Sequence, residues 1–505
     1  MLSRLLSASL RGLDAEAVDV EVDLSRGLPS WNMVGLPEAA VREARDRVRA
    51  ALLNGGFEFP LRHITVNLAP ADRRKDGSHF DLPVAIGLLL ASGQLTLPEE
   101  GAGFPLLVGE LALDGRINTV AGVLPLALFA RQRGLHAIIV PQGNAAEASA
   151  VQGLTVYAAA HLLEVVRHLT GTNMLAPFAA ETADDDPGEA LPDLADIRGQ
   201  HQARRALEIA AAGGHHLLLI GSPGVGKSML ASRLPGILPP LTPAQRLEVA
   251  RIYSVAGEDG RSPLSPAPPF RAPHHSASDV AIIGGGSIPR PGEISKATHG
   301  VLFLDELAEH KRQVLDMLRQ PLEEGYVCIA RAADTVTFPA RFQLVAAMNP
   351  CVCGYLGHPT RSCRCSASQI RQYTRRISGP LLDRFDLRVH VPPVEHEELA
   401  RMRPGEASAS VARRVLLARR RQYARLGEGH VNAHMGSRDV ERYARPDADG
   451  LKLLDEAMRR FSLSARSYHR ILKVARTIAD LEGVQAVGSR QVAEALQYRG
   501  DEGQS

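Results

Sequence analysis

The sequence contains no uninterrupted apolar run of 18 residues, which excludes the usual helical membrane span. It opens with MLSRLLSASLRG, which leads into acidic alternation without an obvious signal-peptide cleavage site, so the chain is expected to stay in the cytoplasm. A global charge field is also lacking: 58 basic residues stand against 56 acidic ones, a formal net charge of +2, so any contact with nucleic acid must come from local basic patches. Lysine is scarce, with six residues against 52 arginines, and a single arginine therefore says little unless its position is special. Neither an internal repeat nor an extended low-complexity tract is present. At 505 residues and 45% apolar content, the chain is long enough for two or three cores.

What is there centres on the run GSPGVGKS, comprising Gly221, Ser222, Pro223, Gly224, Val225, Gly226, Lys227 and Ser228. It lies between the apolar HHLLLI and the helical MLASRL, which places a phosphate-binding loop between a buried strand and a helix. Its glycines let backbone N–H groups curl around phosphate oxygens, Lys227 reaches the β- and γ-phosphates, and the Ser228 hydroxyl ligates Mg²⁺. A second apolar strand, GVLFLDEL, ends in two carboxylates: Asp305 to hold the Mg²⁺ through water and Glu306 to polarise the attacking water. A third, LVAAMNP, carries Asn349 at its carboxyl end, the edge of an open α/β sheet where ligands bind. Arg384 in SGPLLDRFDL and Arg466 in SARSYHRILKVAR stand far along the chain from the loop, where an arginine can serve a neighbouring subunit's γ-phosphate.

The pattern divides the chain into three blocks. Residues 1–169 alternate strand-like and helical stretches, giving an α+β domain, and 170–193 form an acidic linker containing TADDDPGEALP. Residues 194–395 hold the α/β nucleotide-binding core, and 396–505 a helical lid. FRAPHHSAS, GEISKATHGVLFLDEL, AAMNPC, SGPLLDRFD and SARSYHRILKVARTIADL, taken with the phosphate loop, resemble the magnesium-chelatase-like AAA+ ATPases, within them the YifB/ComM group. The resemblance spans nearly the whole chain. It implies a six-membered ring of the helix-2-insert type with ATP held between subunits, Asn349 as sensor 1, Arg384 as the trans-acting arginine finger and Arg466 as the lid's sensor-2 arginine, with Arg470 as second choice. Family members usually carry Leu-Ala-His before the Walker B strand, whereas this chain has Lys296, Ala297 and Thr298.

The first block, through ADRRKDGSHFDLPVAIGLLLASGQL and GELALDGRINTVAGVLPLALFARQRGLHAIIVP, resembles the Lon proteolytic (ribosomal S5-like) domain. Aligned on the shared KDG, the nucleophile position falls on His79 and the lysine position on Leu124, and the block's only lysine is Lys75. Without a base at 124 a serine hydroxyl stays unreactive. A Lon-like fold without peptidase chemistry is expected, serving docking, autoregulation or substrate contact.

Four of the five cysteines, Cys351, Cys353, Cys363 and Cys365, lie in CVCGYLGHPTRSCRC. Four thiolates this close suit a tetrahedral structural Zn²⁺; disulfides and four unligated thiols are the other two readings. Cys328, alone in YVCIA, reads as core packing. Just beyond the cysteines, Arg371, Arg375 and Arg376 with Tyr373 form a basic and aromatic mix suited to a DNA backbone or to a solvated helix face. ARRVLLARRRQYARL reads as an amphipathic helix whose arginines pair with acids elsewhere or bind nucleic acid or a membrane surface. In the insert APHHSASDVAIIGGGSIPRPGEIS, which the resemblance places toward the ring's pore, His274 and His275 are candidate substrate contacts, with a satisfied structural pair as the alternative.

The expected ligands are ATP with Mg²⁺ and a structural Zn²⁺, and the expected partners are single-stranded or branched DNA and further copies of the chain in a homo-hexamer, with no membrane. The resemblance to the ComM group implies a branch-migration helicase of natural transformation. A protein-remodelling ATPase with a degenerate Lon-like domain and a magnesium-chelatase motor subunit share the same ATP site.

Overall fold

The computed structural model describes residues 1–98, 103–179, 191–258, 264–286, 289–330, 335–393, 404–461 and 463–499. Residues 180–190 of the linker read over 170–193, and the core–lid border expected at 395/396, lie outside the described residues. The chain forms two compact units, one of Met1–Pro187, Pro243–Ser265 and Ala332–Val336, the other of Gly188–Thr242, Pro266–Arg331 and Thr337–Ser505.

In the first unit, the alternation in DAEAVDVEVDLS makes Asp14–Ser25 a half-buried strand with Val18, Val20, Val22 and Leu24 turned inward. It pairs antiparallel with Leu2–Arg11 and with His63–Ala69, and Ser30–Val34 joins His63–Ala69 in parallel. The helix Asp81–Ser92 is apolar nearly all round and is correspondingly buried. A second, parallel sheet is built from Leu106–Leu107, Ala137–Pro141 and Thr155–Ala159. Of the Lon-like positions, Leu124 is fully buried in the core beside this sheet. His79 is also buried, with Nε2 2.9 Å from the Ala8 carbonyl oxygen, and burial pushes its pKa down to about 4. The buried Lys75 ammonium donates to the carbonyls of Pro70 and Arg73.

Pro243–Ser265, assigned by sequence to the nucleotide-binding block, packs in this first unit. Leu247, Ala250 and Leu264 join the core around the helix Val123–Gln132. The Ser254 carbonyl accepts from Gly122 N at 2.9 Å, and the Arg251 guanidinium donates to the Leu13 carbonyl at 2.9 Å.

The second unit is a five-stranded parallel sheet in the order Phe270–Arg271, Val301–Leu304, Gln343–Met348, Leu217–Ile220, Leu387–His390. Its central strands are covered on both faces, which is why LLLI, VLFL and QLVAAM read as continuous apolar runs. Their carboxyl ends bring the phosphate loop, Asp305–Glu306 and Asn349 to one edge. The chain is thus α/β, with a phosphate-loop-bearing parallel sheet and a helical C-terminal region. Ser408–Leu426 and Ala465–Glu482 share a core with His201–Gly213 and the sheet, through Val415, Ile471, Ile478, Leu207, Leu219 and Val345.

Two sequence expectations resolve here. Cys328 is exposed: Tyr326–Ala330 alternates, with Val327 and Ile329 buried and Cys328 pointing out, because a strand turns successive side chains to opposite faces. The arginines of Ser408–Leu426 are largely engaged: Arg414 binds Glu208 and Glu406, Arg425 binds Asp480, and Arg419 donates to the Ala211 carbonyl.

Candidate nucleotide site

Gly224 and Gly226 lie at φ +81° and +90°, conformations that a side chain resists, and no described atom stands within 4 Å of where a Cβ would project. Lys227 begins the helix Lys227–Ala231 and is 9% exposed. Its ammonium donates to the carbonyls of Gly221 (2.7 Å) and Ser222 (3.0 Å) and to Asn349 Oδ1 (3.1 Å). Burial pushes its pKa down, against the carboxylates of Asp305 and Glu306. Ser228 Oγ donates to Asp305 Oδ2 at 2.5 Å. Hydroxyl and carboxylate therefore converge where a phosphate-bound Mg²⁺ needs oxygen ligands, and the loop's glycines leave backbone N–H groups for phosphate.

Glu306 sits at φ +50°, a left-handed conformation costing a non-glycine residue about 1–2 kcal/mol. Strain of this kind stands at the end of a buried strand, where Asp305 Oδ1 accepts from the Glu306 N–H at 2.9 Å. His275 Nδ1 lies 3.1 Å from Glu306 Oε2. The His274 ring lies against that of His275, tilted by 34° with 4.1 Å between centroids, and its Nδ1 pairs with Ser276 Oγ at 2.7 Å. The structure thus brings one of the two insert histidines to the acid pair and leaves the other exposed.

Arg384 is paired with Glu323. Its pKa is lowered by burial and then by the charges of Arg470, Arg466 and Arg319, so these four arginines share one neighbourhood. Arg466 is exposed in the first turn of Ala465–Glu482, just inside the Ser464 cap. Arg470 lies 3.6 Å from Asp386 and is tied down by it. Burial opposes the Asp386 carboxylate, yet the hydrogen bond and charge of His215, with His216 and Arg470, hold its pKa at about 2.

Of the basic group after the cysteines, Arg371 and Arg375 are exposed on and just past the helix Ala367–Thr374, whereas Arg376 is paired with Glu309 at 2.8 Å. Tyr373 is 4% exposed and bonds the Asn349 backbone, so its ring is not available for stacking on a base. The four cysteine sulfurs lie within 4.8 Å of one another, with Cys351 fully buried. Backbone N–H groups of Arg364 and Tyr355 favour the Cys353 thiolate, with a pKa of about 6.

Three family models match the chain: the subunit ChlI of Mg-chelatase over residues 20–144, the magnesium chelatase subunit ChlI over 193–399, and its C-terminal part over 405–499. The competence protein ComM of Haemophilus influenzae is 48% identical over 505 residues, covering 99% of this chain and 97% of that protein. The chain belongs to the ComM/YifB family of magnesium-chelatase-like AAA+ ATPases. YifB of Salmonella typhimurium is 46% identical over 97% of this chain and 95% of its own. The chloroplastic magnesium-chelatase subunit ChlI of Chlamydomonas reinhardtii is more distant, at 23% over 53% of this chain and 63% of that protein. The ComM/YifB family thereby implies ATP and Mg²⁺, and the loop glycines, Lys227, Ser228 and Asp305 have the chemistry to hold them. No described helix is long and apolar enough to cross a membrane.

Sequence reading missed Glu323 as the partner of Arg384, and His310, whose Nε2 lies 3.1 Å from the Asp305 carbonyl. His310 stands four residues beyond Glu306, and that short spacing is the signal by which it could have been found.

Proposed function

We propose that the protein is an ATP-hydrolysing, hexameric AAA+ motor acting on single-stranded or branched DNA, a branch-migration helicase of natural transformation working in the cytoplasm. The observation that carries this reading is the complete phosphate-loop, Asp305–Glu306 and Asn349 edge in a chain that matches a competence protein over 99% of its length. Lys227 and Ser228 hold the triphosphate and its Mg²⁺, which supplies charge neutralisation at the β- and γ-phosphates. Glu306 takes the proton of the attacking water, and Asn349 positions that water against the γ-phosphate. Arg384 and Arg466 act on the ATP of the neighbouring subunit. Arg371, Arg375 and Arg376 contribute to the DNA track, and His274 and His275 reach substrate at the pore. The four-cysteine loop holds a structural Zn²⁺, and the Lon-like block has no peptidase chemistry and serves contact with substrate or partners.

The test is steady-state ATP hydrolysis by the purified protein alone and with single-stranded, duplex and branched DNA, with Lys227→Ala as the background. Stimulation strongest with branched DNA is expected, and log K for duplex binding should fall with log salt at about −0.9 per phosphate contact. An active, assembled ring indifferent to every DNA would move the reading to protein remodelling. Glu306→Gln should retain ATP binding and lose turnover on the order of 10²-fold, the scale of general base catalysis. Unimpaired hydrolysis in that variant would remove Glu306 from the water-activating role.

A further inference from the structure

Asn349 and the cysteine loop are neighbours in sequence, since Cys351 stands two residues beyond Asn349 at the carboxyl end of the strand Gln343–Met348. They are also neighbours in space to the phosphate loop. Gly354 lies at φ +81°, and a Cβ built there would stand 2.6 Å from Pro223 Cδ and 3.8 Å from Asn349 Cγ. The turn that brings Gly354 there is closed by its N–H bonding the Cys351 carbonyl at 3.0 Å. On the other side of Asn349, its Oδ1 accepts from Lys227, and Tyr373 bonds its backbone.

The sulfurs are arranged as a closed tetrahedral site needs. The distances Cys351–Cys353, Cys351–Cys363 and Cys353–Cys363 are 3.4, 3.7 and 3.6 Å. Sulfurs around Zn²⁺ at bonds of about 2.3 Å stand about 3.8 Å apart, the edge of the tetrahedron. These separations are far beyond an S–S bond, and all five cysteines are free thiols. Backbone N–H groups donate to the sulfurs as they do around thiolate-bound metals: Cys353 N to Cys365 Sγ and Cys365 N to Cys363 Sγ, both at 3.4 Å.

We propose that Cys351, Cys353, Cys363 and Cys365 hold a Zn²⁺ whose occupancy supports the ATP pocket, by fixing the loop that presses Gly354 against Pro223 and anchors Asn349 beside Lys227. This rests on the reading of that pocket as an ATPase site. Loss of the metal releases the loop, Asn349 loses its register with Lys227, and Pro223 loses its backing.

The test uses the full chain. Metal content is measured by mass spectrometry, ATP turnover in steady state, and ATP affinity by direct binding, for the wild type, Cys353→Ser, Cys363→Ser, Cys363→His and Gly354→Ala. One zinc per chain is expected in the wild type and none in the two serine variants, with turnover reduced about 10-fold or more and ATP affinity weakened alongside. Cys363→His, which keeps a zinc ligand, should recover part of both. Gly354→Ala should keep its zinc and still lose turnover, which separates the contact with Pro223 from misfolding of the loop. Wild-type protein without bound zinc, or zinc-free variants with unchanged turnover and affinity, would overturn the proposal. If zinc-loaded wild type hydrolyses no ATP while zinc loss still weakens ATP binding, the ATPase reading fails and the coupling stands.

Discussion

Arg384→Ala is expected to bind ATP normally and to hydrolyse it about 10³-fold or more slowly, the range of arginines that neutralise the transferring phosphoryl group. The surroundings of Arg384 differ from those of the phosphate loop. Lys227 responds to Asp305 and Glu306, whereas Arg384 responds to Arg319, Arg466 and Arg470 and pairs with Glu323. Clustered like charges repel unless an anion shares them, and the acid paired with Arg384 is a half-exposed glutamate. A γ-phosphate from a neighbouring subunit supplies more negative charge than Glu323 and would displace it. Arg466 is exposed in the same neighbourhood, while Arg470 is held by Asp386, which favours Arg466 over Arg470 as the second arginine to reach that phosphate. If so, mixing Arg384→Ala with Lys227→Ala should restore part of the activity. In mixed rings an intact phosphate loop meets an intact arginine at some interfaces. Mixed rings that are verified yet silent would exclude action between subunits. Wild-type turnover by Arg384→Ala alone would remove the residue from the site.

The central strands are legible in the sequence because parallel strands covered on both faces must be apolar along their whole length, and because phosphate binding leaves few choices of residue at fixed spacing. Leu217–Ile220, Val301–Leu304 and Gln343–Met348 therefore announce themselves, and so do the polar residues at their carboxyl ends. Pairings across the fold do not. The sequence distance from Glu323 to Arg384, or from Asn349 to Tyr373, carries no periodicity that marks a contact. Nothing in the sequence of the helix Pro243–Ala256 says which core it joins, and its place in the first unit depends on Leu247 and Ala250 fitting the surface near Val123–Gln132. Cys328 reads as core in the sequence yet is exposed, because a short apolar run looks alike whether it is buried on one face or two.

Acidification is expected to unfold the second unit while the first persists. His216 is largely buried there, with its pKa pushed to about 4 by that burial first. For His216 the neutral ring is in use, since Nδ1 accepts from the Leu344 N–H at 3.0 Å. Above the unfolded value of about 6.5 both states are neutral and nothing is lost. As pH falls from there to about 4, only the unfolded chain takes up this proton, and His216 removes about 3 kcal/mol of stability. That is a sizeable share of the whole stability of a typical domain, about 5–15 kcal/mol. Asp386, with its pKa held at about 2, adds a further loss once pH drops below the ordinary carboxylate range. In the first unit His79 behaves like His216, but Asp81 two residues later has the opposite sign. Burial raises its pKa to about 6 in spite of Arg47, so the folded state gains stability as pH falls through 6 toward 4 and offsets His79. Trp31, the only tryptophan, belongs to the first unit and stacks with Phe59 at 6.1 Å between centroids. Between pH 6.5 and 4 its emission should therefore hold steady while ATP binding collapses and helical circular dichroism falls only by the second unit's share, and His216→Gln should move that loss to lower pH. Coincident loss of all three signals, or ATP binding that survives at pH 4, would show that His216 does not set the acid limit.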